Sequence, residues 1–274
     1  MTTSSGAVAR SRPRHRTWQR LVGGAGFALG LPVVLLLVWG IWASFAVSPF
    51  FPSPLVIGDA FVSTWVGPSF LQDVLPSLAR LAVGAALSIL LGVVLGTVIG
   101  LVRWLGDLLE PLLEFLRAIP PPVLIPIVAV LLGPTDAMKI TVIVAGSLWP
   151  VLLNTIDGVR ATDAVMTETA RSFSLTRTER LRYLVLPAAS PRIMTGVRQA
   201  LSIALILMVI SEMFFSSSGL GYRIVYFQRN YLIDQMWGGI VLLGLIGVLL
   251  AVVFSLVERR VLRWYHGTKE VARA

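Results

Sequence analysis

Residues 160–192 read RATDAVMTETARSFSLTRTERLRYLVLPAASPR, a polar stretch that separates two long apolar runs. Asp163 stands where its side chain can cap the amino end of a helix. The side chains that follow at helical spacing share one face: Val165, Met166, Thr169 and Phe173. This pattern predicts a short amphipathic helix that ends around Ser174–Leu175.

A capping box in the same stretch predicts a second helix. In Thr176-Arg177-Thr178-Glu179, the threonine hydroxyl can accept from the amide of Glu179, whose carboxylate can reach back. We expect Pro187 and Pro191 to end this helix before the next apolar run. Two amphipathic helices with a tight break between them suit docking into a groove on a cytoplasmic partner. Helices that lie flat on lipid headgroups are the alternative, and the residues alone leave both open.

The rest of the chain consists largely of apolar runs, and a membrane crossing takes about 20 such residues. Of the 274 residues, 56% are hydrophobic and 14% are charged, whereas soluble proteins carry about 25% charged residues. We therefore predict an all-α membrane protein with six transmembrane helices in one domain, 21–258. The six spans are expected at about 21–47, 78–102, 112–132, 140–156, 193–215 and 236–257.

The arginines predict the orientation of these spans, because cytoplasmic segments carry an excess of basic residues. The arginine-rich segments are the tail 1–20, the loop 160–192 and the tail 259–274. Six spans place all three, and therefore both termini, in the cytoplasm, whereas five or seven would place one basic tail outside. The basic start could also belong to a signal peptide. However, the uncharged run 21–47 exceeds the about 7–15 apolar residues of such signals, so we expect a retained first helix.

Two segments outside the regular spans have alternative interpretations. The longest outer connection, 48–76, is predicted to form a turn and an interfacial helix from Asp59 to Trp65, as a packed connector or as a docking surface. Prolines interrupt the third span and should kink it. Irregular backbone at membrane depth is tolerated only against protein or water. We therefore predict that Arg117–Pro126 lies inside a bundle near a pathway, and a plain packing kink is the alternative.

Polar and small residues within the spans also leave alternatives open. Glu212, near the outer end of the fifth span, can pin the turn Gly219–Gly221, line a pathway or relay protons. Glu114 and Arg117 are three residues apart and can pair on one helix face, for structure or for substrate contact. Four glycines of the second span are best explained by close helix packing: Gly84, Gly92, Gly96 and Gly100.

Composition and motifs argue against several functions. The chain has no cysteine, and its two histidines, His15 and His266, lie in polar tails, so thiol chemistry and histidine metal sites are not expected. The net charge of +9 falls in short clusters beside apolar runs, which argues against nucleic-acid binding. No G-x-x-x-x-G-K-[ST] motif occurs, so we expect neither a nucleotide cofactor nor a catalytic site on this chain.

A secondary transporter or channel is the main rival class, and a membrane-embedded enzyme is the lesser one. Secondary transporters usually show two repeated halves with matching broken helices, and the sequence has no such repeat. An enzyme would need a catalytic constellation inside the bilayer, but the predicted spans contain no histidine, no cysteine and no paired acids.

The loop 160–192 resembles a signature of ABC importer permeases. Those proteins carry E-A-A, three residues, then G, and later L-P, in the cytoplasmic loop before the penultimate span. This chain has Glu168-Thr169-Ala170-Arg171-Ser172-Phe173-Ser174 and, further on, Leu186-Pro187. Thr169 replaces the first alanine, and Ser174 replaces a glycine whose use suggests a positive φ. The resemblance implies that this loop couples transport to an ATPase through these residues: Glu168, Ala170, Arg171, Ser174, Thr176, Glu179, Leu186 and Pro187.

Further motifs resemble the nitrate/sulfonate/taurine-type importer permeases. They are Pro52-Ser53-Pro54, the run Glu114–Pro121, Ser211-Glu212-Met213-Phe214 and the stretch 217–222, SSGLGY. The resemblance implies a type I importer fold in the bacterial inner membrane, with a second permease subunit that is a copy or a paralogue. It also implies two ATP-binding cassette subunits that hold ATP and Mg, and an extracytoplasmic solute-binding protein. The candidate pathway or gate residues are Arg117, Pro120, Pro121, Glu212, Gly219 and Gly221.

Overall fold

A computed structural model describes residues 16–45, 48–67 and 69–265, and all its regular elements are helices. The α-helices are α1 Arg16–Phe45, α2 Pro54–Trp65, α3 Leu75–Leu101, α4 Arg103–Ala118, α5 Leu124–Leu132, α6 Asp136–Arg160, α7 Ala164–Ser172, α8 Arg177–Arg180, α9 Leu186–Met213, α10 Leu220–Arg229 and α11 Ile233–Val261. The prediction of an all-α chain is confirmed. The interfacial helix begins at Pro54, before the predicted Asp59.

The chain divides into two compact units, 1–58 and 59–274. In the first unit, α1 exposes apolar side chains between Leu31 and Phe45, as a helix surrounded by lipid does. Trp42 and Phe51 of this unit meet edge to face, with ring centroids 6.0 Å apart. Positions 46 and 47 of the predicted first span lie outside the described residues.

In the second unit, α3 and α6 run side by side in the same direction and in a constant register. Gly92, Gly96 and Gly100 face Val151, Thr155 and Val159, each partner being 59 positions further along. A Cβ built on Gly96 would lie 2.7 Å from the Cβ of Thr155, so the helices could not approach as closely with a larger residue. The packing role predicted for the glycine tract is confirmed.

One contact in this row of paired residues between α3 and α6 was not predicted from the sequence. Ser88 continues the four-residue spacing between Gly84 and Gly92, and its hydroxyl lies 2.6 Å from that of Ser147, again 59 positions away. Helix α9 also packs against α3 and α6, and its Ala189 contacts Gly158 of α6. The three helices therefore form the core of the unit.

Within the part of the chain that the structure describes, four helical runs are long and apolar enough to cross a membrane. They are Phe70–Leu101, Asp136–Arg160, Arg177–Met213 and Ile233–Val261. Each contains one of the predicted spans almost entirely. The third predicted span, 112–132, is instead a bent pair, Arg103–Ala118 and Pro121–Leu132, with an angle of 74° between its arms. The predicted interruption at the prolines is confirmed. It is a complete break and not only a bend, because consecutive prolines remove several backbone donors together and the helix ends.

Prolines have the opposite outcome at the two π-helical turns of the second unit. Phe70–Val74 leads into α3 just before Pro76, and Leu181–Val185 leads into α9 just before Pro187. In each turn an amide bonds five residues back, Leu75 to Phe70 and Leu186 to Leu181. The extra residue makes room for the proline ring and its missing donor. The prediction that Pro187 and Pro191 end the second loop helix is therefore wrong, since the helix continues into α9.

Candidate functional site

Helix α7 lies in the loop at the end of α6, and local side chains define where it begins and ends. The carboxylate of Asp163 accepts from the amide of Val165 at 2.7 Å, so the predicted cap is confirmed. At the other end, the amide of Leu175 donates to the carbonyl of Ala170 at 3.1 Å, and that of Ser174 donates to Arg171 at 2.8 Å. This pair of bonds is a Schellman motif, a common way to close a helix.

Ser174 stands at the position of the Schellman motif that usually holds glycine, and it has a φ of 54°. The residue therefore adopts the positive φ that the motif suggested, although it is not glycine. For an L-residue this conformation costs about 1–2 kcal/mol, because Cβ approaches the carbonyl oxygen.

We expect Ser174→Gly to stabilise this turn and Ser174→Val to destabilise it, each by about 1 kcal/mol, since a β-branched residue resists positive φ. Amide hydrogen exchange over residues 164–175 should then slow about fivefold in the glycine variant and speed up by a similar factor in the valine variant. Exchange over α6 provides the internal control. Equal rates in all three proteins would show that the turn is not strained.

The second helix of the loop begins with the predicted capping box, which is confirmed. The amide of Thr176 donates to the carboxylate of Glu179 at 2.8 Å, and the amide of Glu179 donates to the hydroxyl of Thr176 at 3.3 Å. Leu186 and Pro187 are half-buried on the first turn of α9. The loop is thus a defined helix–turn–helix whose second arm is continuous with a long helix.

Helix α7 has two different faces. Val165, Met166 and Phe173 are exposed, so no described residue of the second unit covers the apolar face predicted for this helix. On the other side Ala170 is buried, and Arg171 lines a cavity towards the end of α3. Glu168 is exposed and forms no ion pair with Arg171. An outward apolar face on a well-capped helix is suited to binding another protein.

The opposite end of the same helices holds a second polar site, which we call the buried charge network. It consists of Asp73, Ser77, Arg80, Asp136, Lys139, Glu212 and Arg223. At its centre, Arg80 Nη1 donates to Glu212 Oε1 at 2.6 Å, and the hydroxyl of Ser77 donates to the same carboxylate at 2.7 Å. Arg80 also pairs with Asp136 at 2.8 Å. The network thereby joins α3, α6 and α9.

The carboxylate of Glu212 also holds the turn that precedes α10. The amide of Gly221 donates to Glu212 Oε2 at 3.0 Å, and Gly219 has a φ of 120°. A Cβ on Gly219 would lie 2.5 Å from the carboxyl carbon of Glu212, so only glycine fits. Asp73 accepts from the amide of Gly219 at 3.2 Å. These contacts agree with the interpretation that Glu212 pins the turn.

Apart from Glu212, the sequence did not identify the acids and the arginine at the centre of the buried charge network. None of Arg80, Asp73 and Asp136 was predicted from the sequence as a site residue. Arg80 nevertheless lies near the start of an apolar span, where an ionisable side chain needs a partner of opposite charge. That demand was a usable signal. The sequence could not show which acids pair with Arg80, because Asp136 and Glu212 lie 56 and 132 positions away from it along the chain.

The remaining pathway candidates lie at the bend between α4 and α5. Arg117 Nη2 pairs with Glu114 Oε2 at 2.6 Å on the exposed face of α4, so the predicted pair is confirmed. Pro120 is exposed and Pro121 is half-buried near Gly146. Most of Arg117–Pro126 is exposed on this single chain. The prediction that the segment lies inside a bundle near a pathway therefore stays a prediction, since it depends on a further subunit.

Comparisons with known proteins agree with these observations. Residues 88–266 match the family described as "Binding-protein-dependent transport system inner membrane component". The chain is 34% identical over 241 residues to the Escherichia coli K12 "Putative aliphatic sulfonates transport permease protein", covering 86% of this chain and 92% of the relative. It is 29% identical over 264 residues to the protein of the same name from Bacillus subtilis 168, covering 96% and 94%. A bicarbonate transport system permease protein of Synechococcus elongatus is 29% identical over 267 residues, covering 92% and 95%.

Proposed function

The chain belongs to the family of binding-protein-dependent transport system inner membrane components, and from this membership we propose that it is the permease subunit of an ATP-driven importer for a small anion. The observation that carries the proposal is the exposed apolar face of α7, on the loop whose motif resembles an ATPase-coupling loop. The chain would form the translocation pathway together with a second permease subunit, either a copy or a paralogue.

In this proposal α7 docks into a groove on an ATP-binding cassette subunit. Val165, Met166 and Phe173 supply apolar contacts, and Glu168 sets the charge of the rim. Ser174, Thr176 and Glu179 hold the shape of the loop through the Schellman motif and the capping box. ATP and Mg bind to the partner, whose closure moves the loop and biases the spans between two arrangements.

The bend between α4 and α5 is the candidate pathway surface. Arg117 and Pro120 are exposed there, and the following helix α5 exposes Val130 and Leu131. Irregular backbone at membrane depth requires protein or water against it. A second permease subunit would supply that cover, with the pathway between the two bends.

The relatives suggest the chemistry of the solute. Two are named for aliphatic sulfonates and one for bicarbonate. Both names describe small anions, so we propose a small oxyanion or sulfonate, delivered by an extracytoplasmic solute-binding protein. Glu212 and the other acids of the buried charge network are engaged with arginine, amide or hydroxyl groups, which suits a structural role better than anion binding.

Reconstitution tests this function. We expect vesicles that contain this chain, its ATPase partner and its solute-binding protein to take up a small sulfonate or bicarbonate only when ATP is supplied inside. The purified chain alone should hydrolyse no ATP. Uptake by the chain alone, driven by an ion gradient, would instead establish a secondary transporter.

We also propose six spans with both termini in the cytoplasm: the four long runs, the bent pair and α1. The native chain has no cysteine, so single cysteines report cleanly. Variants with cysteine at His15, Arg177 or His266 should resist an impermeant thiol reagent added to whole cells. Cysteine at Thr64 or Arg229 should react. Labelling of Arg177→Cys from outside would reverse the orientation and remove the basis for a cytoplasmic partner.

A further inference from the structure

A basic cavity lies behind α7, at the ends of α3 and α6. It has a volume of about 640 Å³ and is lined by residues from α3, α4, α6, α7 and the second loop helix. An adjoining cavity of about 610 Å³ shares Leu101, Arg171, Arg180 and Val185 with it. The two cavities form one cleft, which we call the arginine cleft.

Charge in the arginine cleft is strongly one-sided. Five arginines line it, against one acid, Asp107. The arginines are Arg103, Arg160, Arg171, Arg177 and Arg180. Within the described ranges none of their side chains forms an ion pair with an acid. So many unpaired guanidinium groups around one space favour an anion with several oxygen acceptors.

A neutral polar group points to the same conclusion. The hydroxyl oxygen of Thr162 is buried, lines the cleft and has no hydrogen-bond partner among the described residues. Buried polar groups in proteins nearly always have a partner, so an unsatisfied hydroxyl calls for a bound group. The guanidinium of Arg160 lies against Gly106, where a Cβ would collide with it. The absence of a side chain at Gly106 therefore leaves the space that the Arg160 guanidinium occupies.

The position of the cleft indicates that the anion belongs to a membrane lipid. Leu101 ends a long apolar run, and Arg103 and the exposed Trp104 follow directly, as at a boundary between hydrocarbon and headgroups. The cleft also lies on the side of α7 opposite the apolar face proposed for the ATPase subunit. A membrane lipid can reach this place while a docked partner occupies the other side.

We propose that the arginine cleft binds the phosphate of an anionic phospholipid and so ties α7 to the ends of α3 and α4. Arginine recognises phosphate through paired N–H donors, and basic pockets at the cytoplasmic ends of spans suit anionic headgroups. This site goes beyond the proposed function, because its ligand is the surrounding membrane and not the transported solute.

Spin-labelled phosphatidylglycerol tests the proposal with the full chain in phosphatidylcholine vesicles that contain about one fifth phosphatidylglycerol. We expect the native chain to prefer this lipid over labelled phosphatidylcholine about tenfold, and Arg103→Gln/Arg171→Gln to lose most of that preference. The matched control is Arg259→Gln/Arg260→Gln, which removes the same charge from the exposed end of α11 and should keep the preference. If both variants lost the lipid preference equally, general surface charge would explain that preference and the proposal would be overturned.

Four further measurements keep the result interpretable. Arg103→Lys/Arg171→Lys should restore part of the preference, and Thr162→Val should weaken it without altering thermal unfolding. Inorganic phosphate at millimolar concentration should not displace the labelled lipid, and full displacement would mean a soluble anion site instead. If the glutamine pair lowered co-purification of the ATPase subunit but left the lipid preference intact, the arginines would serve the partner. Lipid preference is measured without transport, so this proposal and the proposed function can fail separately.

Discussion

Replacing Glu212 by glutamine should lower the free energy of unfolding by about 3–5 kcal/mol, the usual cost of removing one partner from a buried ion pair. Glu212 is fully buried, and the side chain of Arg80 is 6% exposed. The variant leaves the Arg80 guanidinium without its closest anion and weakens the bond to the Gly221 amide. For a chain of this size we expect the melting temperature to fall by about 6–20 °C.

The exposed pair on α4 provides the control. Glu114 and Arg117 have 53% and 48% exposed side chains, so Glu114→Gln should cost about 0–1 kcal/mol. In the double variant Arg80→Gln/Glu212→Gln the losses should not add, because the second change removes the charge that the first left unpaired. If Glu212→Gln were no more harmful than Glu114→Gln, the buried charge network would contribute little to the fold.

Phe173→Asp should abolish ATP-driven uptake and reduce co-purification of the ATPase subunit at least about tenfold, equivalent to about 1.4 kcal/mol of binding energy. Phe173 is 76% exposed at the end of α7, and an aspartate there would place an unpaired charge in an apolar groove. Glu168→Lys should have a similar effect through repulsion at the rim of the same contact. The measurements are pull-down of the partner and uptake into vesicles.

Conservative variants separate binding from folding in this experiment. Phe173→Leu keeps an apolar side chain, and Glu168→Gln keeps the shape of the glutamate, so both should retain most of the partner. All four variants should insert into the membrane and melt like the native chain, because neither side chain is buried. Full binding and full uptake by both Phe173→Asp and Glu168→Lys would make the loop a passive connector.

Local features of the fold were predictable from the sequence. The Asp163 cap and the capping box at Thr176 each depend on residues within one or two turns, whereas the sequence left open whether Ser174 adopts a positive φ. The apolar runs located the four long helices, because lipid exposure leaves a direct mark on composition.

The outcome at the prolines was not predictable in the same way. Pro120 and Pro121 end a helix, whereas Pro76 and Pro187 lie two residues beyond the last residue of π-helical turns through which the helix continues. Proline removes a backbone donor in every case. Packing against neighbouring helices then determines whether the helix breaks or continues through a π-helical turn. The buried charge network was missed for a related reason, since its members meet only after α3, α6 and α9 pack.

The widened turn at Leu181–Val185 has a mechanical consequence. It makes the run Arg177–Met213 one uninterrupted rod of 37 residues, about 55 Å long. One tip lies beside α7 and the other carries Glu212. A tilt of about 10° around the midpoint would move each tip by about 5 Å in opposite directions. The helix can thus act as a lever, because a force on its Arg177 end would be transmitted along its full length to the hydrogen bonds and the ion pair of Glu212.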